Sequence, residues 1–91
     1  MTTDQDGLRD AIYDGAMTAE AAYDECGDQH YADIADALRS VNLRETDLAA
    51  EVRRVADAIE RECVGMRARR AVAARYMRRM LERHERKTAN A

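Results

Sequence analysis

The chain has 91 residues and a net charge of −3, with 46% hydrophobic residues but only 4% aromatic ones, no Pro, four Gly and two Cys. That length supports one domain with one core, and a thin one: Ala supplies 18 of the hydrophobic residues, Leu, Ile and Val together supply 13, and Phe and Trp are absent. So little Pro and Gly removes the turns that sandwiches, barrels and collagen-like chains need, and no apolar run approaches the ~20 residues that span a bilayer. The acidic start MTTDQDGLRD has neither the basic nor the apolar part of a secretory leader, so a cytoplasmic location without membrane contact is expected. Cys26 and Cys63 are too few for a disulfide framework, and both read as small buried apolar residues.

The expected fold is all-α, with four or five helices in a single domain: an acidic helical part over 1–41, an Arg-rich helix or hairpin over 42–87, and a frayed tail over 88–91. Thr3 and Asp6 start a first helix whose Leu8, Ala11 and Ile12 recur at helical spacing, with Gly15 as its stop. Thr18 caps a second helix over 19–26, and Gly27 closes it. Asp28 begins a third. Its Tyr31, Ile34, Leu38 and Val41 share a face from which Asp33 and Asp36 point away.

Asn42 and Glu45 have the spacing of a capping box, which starts a long segment with an apolar seam through Leu48, Val52, Val55, Ile59, Cys63, Met66, Met77 and Met80. With Gly65 helical, 43–87 forms one rod of roughly 67 Å; with Gly65 a hinge, it folds into a hairpin. The cost of one helical Gly is only about 1 kcal/mol, so local sequence favours the rod. Three short helices cannot cover such a seam. A homodimer through Leu48, Val52, Val55, Ile59, Met66, Met77 and Met80 is therefore expected, with a monomeric hairpin as the alternative.

Charge is unevenly placed. Up to Glu51 there are 13 acids and three bases, and after it five acids and 12 bases, giving −10 and +7. The basic half puts Arg67, Arg75, Arg78, Arg79, Arg83 and Arg86 on one helical face, the kind of surface that neutralises phosphates. The acidic half offers Asp24, Asp28, Asp33 and Asp36 to a basic groove on a protein partner, where they would compete with nucleic acid. The halves neutralising each other would explain the same pattern.

No catalytic assembly emerges, since the chain lacks G-x-S-x-G, H-E-x-x-H and a Gly-rich phosphate loop. Cys26, His30, Cys63 and His84 match no zinc-site spacing, and no cofactor, metal or small-molecule substrate is expected. The functional expectation is a non-catalytic interaction protein that binds a protein partner through charged faces, by analogy with small phage-encoded inhibitors of host nucleic-acid-handling complexes. The alternative is a small DNA- or RNA-binding regulator using the Arg-rich helix.

Overall fold

A computed structural model describes residues 3–62 and 70–89. They form four helices, α1 (Thr3–Cys26), α2 (Gln29–Arg39), α3 (Leu48–Glu62) and α4 (Ala71–Ala89), with no strand among the described residues. The all-helical expectation holds. Its finer parts change in three places.

The first change is at Gly15, which lies inside one continuous 24-residue helix instead of ending a short one. Its missing side chain serves packing: a Cβ there would meet the Tyr76 hydroxyl oxygen at 2.9 Å and Leu38 Cδ1 at 3.0 Å, so Gly15 is where α1 closes on α2 and α4. Gly7, by contrast, faces open space. Gly7→Ala should therefore stabilise the protein by about 0.5–1 kcal/mol through helix propensity alone. At Gly15, Ala should give no such gain, and Val should destabilise by about 1–3 kcal/mol through overpacking. Urea melts of the three variants check this, and a stabilising Gly15→Val would remove the close approach.

α1 ends as the sequence indicates. Gly27 takes φ 71° and its N–H donates to the Tyr23 carbonyl at 2.7 Å, the left-handed closure that Gly adopts without a Cβ penalty. Asp28 then caps α2 by accepting from the His30 N–H at 2.9 Å. The chain returns along α1, so that Arg39 of α2 pairs with Glu20, and Arg9 reaches the Leu43 carbonyl beyond the end of α2.

The second change concerns the start of the second half. Asn42 and Glu45 do not open a helix: the Glu45 N–H donates to the Asn42 carbonyl in a turn, and the Asn42 side chain accepts from the Arg44 N–H. α3 is capped by Asp47, whose carboxylate accepts from the Ala50 N–H at 3.1 Å. The irregular stretch between α2 and α3 is pinned by Glu51, which accepts the Asn42 N–H at 2.9 Å.

The third change is that the rod is replaced by a hairpin. α3 and α4 lie side by side in opposite directions, with Arg53 near the start of α3 paired to Glu85 near the end of α4, and Arg78 bound to Asp57 and Glu60. The longest dimension is 40 Å, well short of the rod. Gly65 lies outside the described residues. The reason is burial: a seam folded back on itself, with α1 and α2 laid across it, removes its own apolar surface from water. Leu48, Val52, Val55, Ile59 and Met77 are all buried, in one cluster with Leu8, Ile12, Leu38 and Leu81.

Candidate protein-binding surface

The residues expected to form a dimer seam are thus mostly spent inside the chain. Leu48, Val52 and Met77 are fully buried and Val55 and Ile59 nearly so, so these five do not present a surface to a second copy. Met80 packs half-buried at the edge of this core, and Met66 lies outside the described residues.

The acidic set divides. Asp24, Asp28 and Asp36 are exposed. Asp33 does not point outward as expected: it is only 6% exposed, its Oδ1 accepts a long 3.4 Å hydrogen bond from Gln29, and its Oδ2 is buried without a hydrogen-bond partner among the described residues. The α2 face that packs inward is wider than the stripe read from the sequence. It takes in Asp33 and Ala37 at one edge and Ala35 at the other, whereas Tyr31, the first residue of the stripe, remains 39% exposed.

The basic set divides as well. Arg75, Arg79 and Arg83 stand exposed on α4, one turn apart, with no ion-pair partner among the described residues. Arg78 is withdrawn from that face by Asp57 and Glu60 of α3, whose hydrogen bonds push its pKa further up. Arg86 leans on Glu82 within its own helix, and Arg67 lies outside the described residues.

Exposed Tyr and Met side chains on α1 were not among the expected site residues. Tyr13 and Met17 are 59% and 51% exposed, an unusual place for large apolar groups in a protein with so few of them. They form the lip of an apolar cleft of about 230 Å³, with Ile12 and Ala16 as its α1 wall and Leu38, Arg39, Val41 and Leu43 opposite. Two guanidinium groups bracket it: Arg9 on Asp6 and the Leu43 carbonyl, and Arg39 on Glu20. A sequence signal existed. Asp6, Asp10, Tyr13, Met17, Glu20 and Asp24 are spaced 4, 3, 4, 3 and 4 and so share one face, but only if the helix runs through Gly15.

No group of His, Cys, Asp and Glu among the described residues is arranged to hold a metal ion. Cys26 is exposed, contrary to expectation, because it falls on the last turn of α1 beyond the packed part; Cys63 lies outside the described residues. None of the described helices is long and apolar enough to cross a membrane. No family model matches the chain, and no curated protein or solved structure is significantly similar to it.

Proposed function

We propose that the protein is a non-catalytic interaction module whose acidic α1–α2 face binds a protein partner. The observation that carries this reading is that folding leaves the charge asymmetry in place. Arg39–Glu20 joins α2 to α1, and Arg53–Glu85 and Arg78 with Asp57 and Glu60 join α3 to α4. Each of these pairs stays within its own half of the chain; among the described residues only Arg54–Glu51 crosses the boundary, at its very edge, so the two halves hardly discharge each other. An acidic surface that also exposes Tyr13 and Met17 suits a cationic protein and repels phosphate. Competition with nucleic acid for a basic groove, as an inhibitor of a nucleic-acid-handling complex, is the corresponding mode of action.

Affinity capture from the native host tests this. A protein retained by the wild type should be lost when Asp24, Asp28 and Asp36 are changed to Asn, with helicity intact because Asp24 and Asp36 are exposed and Asn at position 28 still caps α2. Retention by both chains sinks the acidic face as the binding surface.

Arg75, Arg79 and Arg83, exposed and without an ion-pair partner among the described residues, favour a second reading, nucleic-acid binding by α4. If these residues contact duplex phosphates, changing all three to Ala should flatten the logarithmic salt slope of a gel-shift series by about 0.9 per lost contact. No shift by the wild type at low salt removes this reading.

A further inference from the structure

The exposed strip of α1 has an order as well as a composition. Asp6 and Asp10 lie at one end, Tyr13 and Met17 in the middle, Glu20 and Asp24 at the other, over about 27 Å at 1.5 Å per residue. Its alternating steps of four and three are those of a helix face that packs along a second helix. Of its four carboxylates, Asp6 and Glu20 are balanced by Arg9 and Arg39, which leaves Asp10 and Asp24 as the net negative ends of an apolar centre.

We propose that this strip is the receptor for a cationic amphipathic helix of a partner protein. One long aliphatic or aromatic side chain of that helix fills the cleft behind Tyr13 and Met17, and Arg or Lys residues on either side of it meet Asp10 and Asp24. The inference rests on the protein-binding reading above and names the partner's chemistry. A second copy of this chain is a poor occupant for two reasons. Strip against strip around a twofold axis places carboxylates on carboxylates, which opposes association. The cationic stripe of α4 supplies charge but only a poor anchor: Met77 and Leu81 of that helix are 0% and 3% exposed, and Tyr76, 37% exposed, has its hydroxyl end turned in against Gly15 of α1. A helix laid in a groove by an apolar anchor with flanking charges meets both requirements of the strip.

The probe is a synthetic Ala-based helical peptide of about 18 residues, long enough to be helical, with a central pair of Leu four apart and two Arg on each side. Titrated into isotopically labelled protein, it should perturb the amide signals of Tyr13, Met17, Val41 and Leu43. Replacing its Leu by Ser should weaken binding at least about tenfold, as should Tyr13→Ser with Met17→Ser in the protein, whose exposed positions leave the thermal melt unchanged. Asp10→Asn with Asp24→Asn should remove most of the salt dependence. Equal binding of the Leu and Ser peptides, or perturbations away from the cleft, overturns the proposal. So does self-association of the protein alone that Met17→Ser abolishes, since a second copy then covers the strip. If the Tyr13 and Met17 changes leave a captured host partner in place, the protein-binding reading survives and the helix receptor does not. If the peptide binds as described while neutralised Asp24, Asp28 and Asp36 lose no partner, the broader acidic-face reading falls and the receptor stands.

Discussion

Met77→Ala is expected to destabilise the protein by about 2–5 kcal/mol, and Met80→Ala, three residues along the same helix, by about 1 kcal/mol or less. Met77 is fully buried between α4 and the rest of the core, so its truncation leaves a cavity that the surrounding Ala-rich packing cannot collapse to fill. Met80 sits half-buried at the core's edge, where solvent and the flexible surface accommodate the loss. A chain of 91 residues has about 5–14 kcal/mol of total stability to lose, so the first variant should melt far earlier than the second. The contrast discriminates between architectures. In a two-stranded rod both residues would occupy the seam and cost similar amounts, and the unfolding midpoint would rise with protein concentration. In the hairpin bundle the costs are unequal and the midpoint stays constant over about a hundredfold range of concentration. Equal losses in urea melts would refute the intrachain core.

Glu51→Gln is expected to cost about 1–3 kcal/mol near neutral pH. The carboxylate is buried at the junction where the stretch after α2 meets α3, accepting from Arg54 Nε and Nη2 at 2.7 and 3.0 Å and from the Asn42 N–H at 2.9 Å. These bonds, the Arg54 fork first and the Asn42 amide second, hold its pKa below the usual carboxylate range against the opposing effect of burial. The sign follows from linkage. The folded-state pKa is the lower one, so the contribution is fully present above the unfolded value near 4.5 and is lost as pH falls through the folded one. The gap between wild type and Glu51→Gln should therefore be widest near neutrality and narrow below about pH 4. Arg54→Ala, which leaves the buried carboxylate with the Asn42 amide alone, should raise the Glu51 pKa and destabilise in the same direction. Urea melts across pH measure all three, and a gap that does not change with pH would exclude the ionised carboxylate as the source of stability.

Helix type and the helix ends around Gly27 were legible along the chain because they depend on neighbours in sequence. Gly27 closes α1 and Asp28 caps α2 through hydrogen bonds that span two to four residues. Such bonds form wherever that local pattern occurs. The apolar seam was legible too, through Leu48, Val52, Val55, Ile59 and Met77, because its period is a property of one helix.

What covers that seam was decided by tertiary structure. Periodicity says that a face is apolar and is silent on whether its cover is another chain or a later part of the same one; here it is α4, α1 and α2. The same limit explains Gly15, Asp33 and Arg78. A Gly that ends a helix and a Gly that admits a neighbour's side chain look alike in one dimension, and only Tyr76 and Leu38, distant in sequence, tell them apart. Asp33 is buried by packing that its own helix does not specify, and Arg78 leaves the basic face because Asp57 and Glu60 happen to stand opposite. The candidate site fell on the same side of this divide. Once α1 runs unbroken through Gly15, Tyr13 and Met17 align with the acids around them, and the cleft they border exists only where α2 and the chain beyond it return to meet α1.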